Sequence, residues 1–162
     1  QAGMISDDEL RSILVTNLPK GVRLTVILDC CHSGTALDLP YKIGVDASNM
    51  VEVKKKLPHQ MKLPSNGDVV MLSGCMDTQT SADAGVGLAG NTQSSGAMTT
   101  AFKVTIAKKK DISFHELIIG VRGFLKTQAF QQVPQLSSEH SLNLGDCFMP
   151  EWAPPAAALP PA

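Results

Sequence analysis

The chain has 162 residues, of which 43% are hydrophobic and 18% are charged, a composition that suits one globular domain with a hydrophobic core. Its formal net charge is −1, so the chain as a whole has no electrostatic attraction for nucleic acid or for an anionic membrane. No apolar run approaches the roughly 20 residues that a membrane-spanning helix needs. We therefore expect neither nucleic acid nor a membrane among its partners.

The four cysteines predict reduced thiols rather than two disulfides. Cys30 and Cys31 are adjacent, and Cys75 ends an apolar run, as buried or reactive thiols do. The first residues, QAGMISDDEL, are polar and lack the basic start of a secretory signal. A reducing, cytoplasmic location is therefore expected. Because residue 1 is not methionine, we also expect the chain to be a fragment or a processed piece.

The first predicted helix begins after Ser6, which forms a capping box with Glu9. Leucine and isoleucine then recur at helical spacing, so the amphipathic helix is predicted over residues 7–18. Residues 24–30, LTVILDC, are continuously apolar until Asp29, as the buried strands of parallel sheets are.

In the middle of the chain, the sequence pattern predicts a linker, a strand and a loop. Residues 51–66 are polar, rich in lysine and contain two prolines, which indicates an exposed linker. Residues 68–75, DVVMLSGC, form a second buried strand in this prediction. A loop rich in glycine, serine and threonine follows, over about residues 77–95.

In the last part of the chain, the sequence pattern predicts two helices and a strand. An apolar stripe over residues 96–110 predicts the first helix, and a second capping box, Ser113 with Glu116, opens the stronger amphipathic helix SFHELIIGVRGFLKTQ. Residues 141–150, SLNLGDCFMP, are predicted as a last strand. The tail, 151–162, is rich in proline and alanine and is predicted to be disordered.

The alternation of strands and helices predicts an α/β layered fold with a mostly parallel central sheet flanked by helices. In such sheets, ligand sites gather at the carboxyl ends of the strands. Both predicted buried strands end in polar residues, so we expect the functional site at this edge.

The stretch LTVILDCCHSG, residues 24–34, is the strongest candidate for chemistry. Because side chains alternate along a strand, Asp29 and Cys31 should share one face while Cys30 points to the other. The spacing does not suit a zinc site, and a disulfide between adjacent cysteines is strained. Packing and a nucleophile both remain open, although an unpaired buried carboxylate would be costly in a site used only for packing.

The motif DCCHSG after an apolar strand resembles the nucleophile motif of type I metacaspases, which are caspase-fold cysteine peptidases. Three further blocks resemble this family in the same order: SGCMDTQTSADA (73–84), GAMTTAF (96–102) and QVPQLSSEH (132–140). The resemblance covers about residues 4–149, and details such as SDDEL are similar to the kinetoplastid branch.

The resemblance implies a cysteine endopeptidase that acts through an acyl-enzyme on Cys31. The backbone N–H of Cys31 would contribute to the oxyanion hole. Asp29 would line the pocket for the residue before the scissile bond and would select Arg or Lys through charge-assisted hydrogen bonds. The expected partners are therefore proteins or peptides with Arg or Lys at that position.

The resemblance also implies an activating, non-catalytic Ca²⁺ ion. Asp7, Asp8 and Asp38 match acids that bind this ion in related enzymes, and carboxylate oxygens suit Ca²⁺. A second interpretation stays open, since Asp7 and Asp8 fall in the first turn of a capped helix, where the helix dipole favours acids.

None of the four histidines, His32, His59, His115 and His140, lies in a segment like the one that carries the family's catalytic base. In the family that segment precedes the nucleophile. We therefore expect the chain to lack its catalytic histidine, to be inactive alone, and to need a missing N-terminal segment of the same domain as a partner. The complete protein is expected to be a monomer. The rival interpretations are a non-catalytic caspase-like scaffold or regulatory module, and a Cys/His metal module.

The expected organisation follows from the same resemblance. Residues 1–150 would be the C-terminal part of a caspase-fold peptidase domain, followed by the disordered tail 151–162. Within it, 1–50 would carry the nucleophile, 51–66 would be the linker, and 67–150 would correspond to the small subunit.

Overall fold

The computed structural model describes residues 5–29, 36–45, 50–55, 62–74, 96–130 and 132–149. Three helical elements are present in this part of the chain: α1 (Asp7–Arg11), continued by a π-helical turn (Ser12–Thr16), α2 (Ala97–Ala107) and α3 (Phe114–Thr127). Five strands form one sheet: β1 (Arg23–Leu28), β2 (Tyr41–Val45), β3 (Val51–Lys55), β4 (Asp68–Ser73) and β5 (Gln135–Ser138). None of the helices in these ranges has the length and apolarity needed to cross a membrane.

Both predicted capping boxes are confirmed. In the first, the Ser6 hydroxyl accepts the Glu9 backbone N–H at 3.3 Å, and the Glu9 carboxylate accepts the Ser6 backbone N–H at 2.9 Å. Ser113 and Glu116 make the same two bonds, at 3.1 and 2.9 Å. Each box satisfies N–H groups that have no partner within the helix, so each fixes the residue at which its helix begins.

The sheet has the strand order β1-β4-β5-β2-β3. β1 and β4 are parallel, whereas the other three neighbouring pairs are antiparallel. The predicted α/β layered fold is therefore confirmed, with a sheet that is mixed rather than mostly parallel. β1 lies at one end of this order, and its residues alternate between exposed and half-buried instead of being fully buried as the sequence predicted.

Two local predictions were wrong. The chain between the two parallel strands forms the antiparallel hairpin β2–β3, so the expected linker 51–66 starts as a strand. The last strand is β5, and not residues 141–150. There the Asn143 side-chain oxygen accepts the Gly145 N–H at 3.1 Å, and its amide nitrogen donates to Asp146 at 2.9 Å. An asparagine that bonds the backbone two residues ahead favours a turn over a strand.

The sheet buries apolar side chains on both faces. One face, with Val70 and Leu72 of β4, packs against α2 and α3, and the other, with Val69 and Met71, packs against the first helical segment. Adjacent residues of β4 therefore serve opposite cores, which requires the unbroken apolar run that predicted this strand. Phe148 closes the first core, because its ring lies edge-on to two other phenylalanine rings, with centroids 5.7 and 5.9 Å away.

A close approach between α2 and α3 depends on Gly120. A Cβ atom at this position would lie 2.5 Å from the Cγ2 atom of Thr105, a side chain that is 3% exposed. Gly123 lies one turn further along α3, and a Cβ atom there would meet nothing within 4 Å. The two glycines therefore form a matched pair on one helix.

We expect Gly120→Ala to lower the free energy of unfolding by about 1–3 kcal/mol, because the added methyl group overpacks the interface between α2 and α3. Gly123→Ala should raise it by about 0.5–1 kcal/mol, since alanine has the higher helix propensity. Urea unfolding measures both changes. Equal effects of the two substitutions would contradict the close approach.

A buried ion pair joins segments that are far apart in sequence. The guanidinium of Arg11 donates to both carboxylate oxygens of Glu139, at 3.1 and 3.2 Å, and both side chains are at most 5% exposed. Arg11 also donates to the carbonyl oxygens of Leu37 (3.0 Å) and Leu63 (2.8 Å), and Glu139 accepts the Ser65 N–H at 2.9 Å. These bonds fasten the chain before and after the hairpin to α1 and to the end of β5.

Glu139→Gln should lower the free energy of unfolding by about 3 kcal/mol or more, because it leaves the Arg11 charge buried without a counter-charge. The matched control is Asp68→Asn, which breaks the Arg23–Asp68 pair at the surface, where the side chains are 38% and 31% exposed. This second change should cost about 1 kcal/mol or less. Denaturant unfolding of both variants checks the difference, and similar small losses would mean that the buried pair contributes no more than a surface pair.

Candidate active site

Asp29 lies at the carboxyl-terminal edge of the parallel strand pair. β1 and β4 run in the same direction, and the Gly74 N–H donates to the Leu28 carbonyl at 3.0 Å just where both strands end. Asp29 is the next residue after β1 and is half-buried. The structure thus confirms that this acid stands at the edge where the sequence placed the site.

The Asp29 carboxylate caps helix α2. Its Oδ2 atom accepts the backbone N–H of Thr99, the third residue of this helix, at 2.8 Å. The residue at the N-cap position is Gly96, which has no side chain to bond this N–H group. An acid 70 residues away therefore satisfies a donor that the helix itself leaves unpaired.

Sequence reasoning missed this cap, although the sequence contains a signal for it. The other two helices open with their own capping boxes, whereas α2 opens with glycine. A helix without a local cap either exposes its first N–H groups to water or takes a cap from elsewhere in the fold. The sequence shows that a cap is needed, but only the fold shows that Asp29 supplies it.

The nucleophile candidate lies outside the described residues. This holds for Cys30, Cys31 and His32, so the expected common face of Asp29 and Cys31 stays a prediction. Cys75 is outside as well. The one cysteine within the described ranges, Cys147, is a free thiol.

The structure brings the three predicted calcium ligands to one place. Asp7, Asp8 and Asp38 line a single open surface pocket together with Ser6 and Lys62. Asp7 and Asp8 lie in the first turn of α1, as the capping interpretation also requires. Asp38 has a φ of 52°, a left-handed conformation that aspartate tolerates better than most residues. Residue 38 lies beside a helix start 30 positions earlier in the chain.

A lysine ammonium lies among these acids. The Lys62 Nζ atom is 2.8 Å from Asp8 Oδ1 and 3.9 Å from Asp38 Oδ2. The hydrogen bond from Lys62, reinforced by its charge, lowers the pKa of Asp8, and the same bond raises the pKa of Lys62. Both groups therefore remain ionised at neutral pH.

The acids have the oxygen chemistry that Ca²⁺ requires, but they are not arranged as a ready-made metal site. Over the ranges that the structure describes, no three acidic, histidine or cysteine side chains come close enough to hold one ion. The pocket is instead arranged around the ammonium of Lys62. A divalent cation bound here would have to displace that side chain.

The two histidines in the described part of the chain do not contact Asp29. The Nε2 atom of His140 is 3.1 Å from the carbonyl oxygen of Gly67, just before β4 begins. Asp29 lies beyond the other end of this strand, and six extended residues span roughly 20 Å. His115 is exposed on the first turn of α3. His32 and His59 lie outside the described residues.

Comparison of the sequence with known proteins places the chain in a family. The profile of the family described as caspase domain matches residues 1–144. The chain is 37% identical over 156 residues to metacaspase-2 of Trypanosoma brucei brucei, covering 91% of the chain and 44% of that protein. It is 40% identical over 153 residues to metacaspase-3 of Trypanosoma cruzi, covering 90% of the chain and 42% of that protein.

A third relative is named as an inactive protein. The chain is 37% identical over 161 residues to inactive metacaspase-4 of Trypanosoma brucei brucei, covering 90% of the chain and 42% of that protein. The chain thus spans less than half the length of these three relatives. Three observations indicate the same family: the domain match, the mixed five-stranded sheet with flanking helices, and the trypanosomatid relatives. The chain belongs to the caspase domain family of cysteine peptidases and is a caspase-fold protein of the metacaspase type.

Proposed function

We propose that this protein is part of a cysteine endopeptidase that cleaves peptide bonds after Arg or Lys. The observation that carries the proposal is the position of Asp29, a hydrogen-bonded, half-buried carboxylate at the carboxyl edge of the sheet. It lies two residues before Cys31, the residue that resembles the family's nucleophile. A fixed negative charge beside a nucleophile favours a positively charged side chain in the neighbouring substrate position.

The proposed reaction is acyl transfer in two steps. The Cys31 thiolate attacks the carbonyl carbon of the scissile bond, and the C–N bond breaks as a histidine donates a proton to the leaving amine. Water then attacks the resulting thioester, which releases the carboxylic acid and restores the thiol. The backbone N–H of Cys31 would stabilise the negative oxygen formed in both steps.

The two oxygens of Asp29 have different surroundings, and this difference supports the specificity. Oδ2 accepts the Thr99 N–H, whereas Oδ1 accepts no hydrogen bond from the described residues. This second oxygen can receive the ammonium or guanidinium of a substrate. A charge-assisted hydrogen bond of this kind is about twice as strong as a neutral one.

We propose that the general base comes from a segment outside these 162 residues. His140 is held at the far end of β4, and the relatives are more than twice as long as the matched region. The end strand β1 supports the proposal, because within the described residues it pairs only with β4, and its Ile27 side chain is 37% exposed. An additional strand on β1 would satisfy its open backbone groups and cover this apolar surface.

A reducing, cytoplasmic setting is part of the proposal, because the nucleophile has to remain a thiol. The free thiol of Cys147 is consistent with such a compartment.

The rival function is a non-catalytic caspase-like module. The observation that favours it is that the relative named inactive metacaspase-4 is as similar to this chain as metacaspase-2 is, at 37% identity. Overall similarity therefore does not separate an enzyme from a scaffold. The presence of both Cys31 and Asp29 favours the enzyme.

The test is peptide hydrolysis by the chain co-expressed with the proposed base-carrying segment. Peptides with Arg or Lys before the scissile bond should be cleaved, and peptides with Gln or Asp there should not. Cys31→Ala should reduce the rate by at least about 10³-fold, because the nucleophile is lost. Cys30→Ala is the matched control and should keep the rate within about threefold, because the alternation of side chains along a strand predicts that Cys30 points away from Cys31.

Each outcome separates two interpretations. Equal losses from both substitutions would contradict the assignment of Cys31, and cleavage that no cysteine substitution affects would favour the scaffold. Turnover by the 162-residue chain alone, abolished by changing one of its own histidines, would show that the base lies within the chain.

We further propose that Asp7, Asp8 and Asp38 bind an activating Ca²⁺ ion. All three line the same pocket, which supports the proposal, and the ammonium of Lys62 already fills a cationic position between Asp8 and Asp38. In this proposal the ion and the lysine compete for the same carboxylates.

Lys62→Gln should tighten Ca²⁺ binding about two- to fivefold, because the ion no longer displaces an exposed ion pair. Asp38→Asn should weaken binding, because it removes a charged oxygen ligand, whereas Asp111→Asn, at an exposed site outside the pocket, should leave it unchanged. Isothermal titration calorimetry measures all three without requiring activity. If Asp38→Asn changes the melting temperature but not the affinity, the acids serve the fold alone.

A further inference from the structure

The Asp29 carboxylate occupies a space that exists because residue 96 has no side chain. A Cβ atom built on Gly96 would overlap the Asp29 carboxylate and fall closest to Oδ2, the oxygen that accepts the Thr99 N–H. On the other side, a Cβ atom on Gly74 would be 3.1 Å from Oδ1. The carboxylate therefore sits between two glycines and against the first turn of α2.

The backbone of Gly96 does not itself require glycine. Its φ is −58° and its ψ is 154°, which any residue can adopt. Serine, aspartate and asparagine would all cap the helix better at this position. Space for the Asp29 carboxylate is therefore the one demand visible in the described structure that a larger residue could not meet.

We propose that Gly96 is a positioning residue for substrate specificity, because it leaves open the space in which the Asp29 carboxylate is fixed against helix α2. Helix α2 has no side-chain cap at residue 96, and the carboxylate of Asp29, at the end of β1, caps it instead. The hydrogen bond between Oδ2 and the Thr99 N–H holds the Asp29 carboxylate in one orientation, in which Oδ1 is available. A group that is fixed before the substrate arrives loses less entropy on binding. The effect on specificity rests on the proposed function, whereas the fixed position of the carboxylate does not.

Capping and charge recognition can be separated chemically. Asparagine caps helices about as well as aspartate, so capping alone does not need the negative charge at position 29. Asp29→Asn should keep the bond to the Thr99 N–H and the stability of the fold, but should lose the selection of Arg and Lys. Asp29→Ala should lose both.

The first test is a double-mutant cycle of Gly96→Ala and Asp29→Ala, with melting temperature as the measurement in the full chain. Gly96→Ala alone should lower the melting temperature by a few degrees, because it displaces the carboxylate from its cap. In the Asp29→Ala background the same change should cost little, since no carboxylate remains to be displaced. Gly123→Ala, an open site on α3, is the control and should not lower the melting temperature.

The second test measures peptide cleavage by the same variants in the co-expressed enzyme. Gly96→Ala should raise KM for Arg and Lys peptides by about tenfold and lower their preference over Gln peptides, with a smaller effect on kcat. Asp29→Asn should lose the same preference at an almost unchanged melting temperature.

The outcomes distinguish this inference from the function on which it partly rests. Additive effects of Gly96→Ala and Asp29→Ala, or a Gly96→Ala variant that behaves like Gly123→Ala, would overturn it. Coupled melting temperatures with no loss of selectivity in Gly96→Ala would also overturn the positioning role. A wild-type enzyme that cleaves without preference for Arg or Lys would refute the proposed specificity, whereas coupling in the cycle would still support the fixed position of Asp29.

Discussion

A guanidinium and a carboxylate that are both almost completely buried have lost their water, so each is stable only while the other is present. Arg11 and Glu139 meet this condition with two parallel hydrogen bonds, and their remaining bonds go to the backbone of residues 37, 63 and 65. The pair thus fixes the first helix, the two ends of the hairpin region and the end of β5 relative to one another. The surface pocket that holds the three candidate calcium ligands lies on the same segments, since Asp38 follows Leu37 and Lys62 precedes Leu63.

The two candidate sites use charge in different ways. Asp29 is fixed by a backbone N–H, which satisfies one oxygen without neutralising the carboxylate. Asp8 is paired with a lysine whose side chain is 45% exposed, and such a pair can exchange partners at small cost. A fixed charge suits selection among substrates, and an exchangeable pair suits a response to ion concentration. The fold therefore provides a carboxylate that is hydrogen-bonded to a helix at the sheet edge and an exposed lysine that is paired with acids at the surface.

Local signals in the sequence predicted the parts of the fold that local physics decides. Ser6 and Ser113 start their helices where their capping boxes indicated, and the apolar runs predicted β1 and β4. β5 was missed because Gln135–Ser138 is mostly polar although every residue in it is buried, so its hydrogen bonds to neighbouring strands define it and its hydropathy does not. The sequence predicted Asp29 at the site, but not its bond to Thr99, because no pattern in the sequence indicates a contact across 70 residues.

The order of the strands has a consequence for a chain that is cut between β3 and β4. β1, β2 and β3 come before that point and β4 and β5 after it, yet in the sheet β4 and β5 lie between β1 and β2. Every strand of the later piece is therefore hydrogen-bonded to a strand of the earlier one, and Arg11 remains bonded to Glu139 across the break. The two pieces would elute together as a non-covalent heterodimer and separate only on a denaturing gel. Covalent continuity at this point is not what holds the domain together.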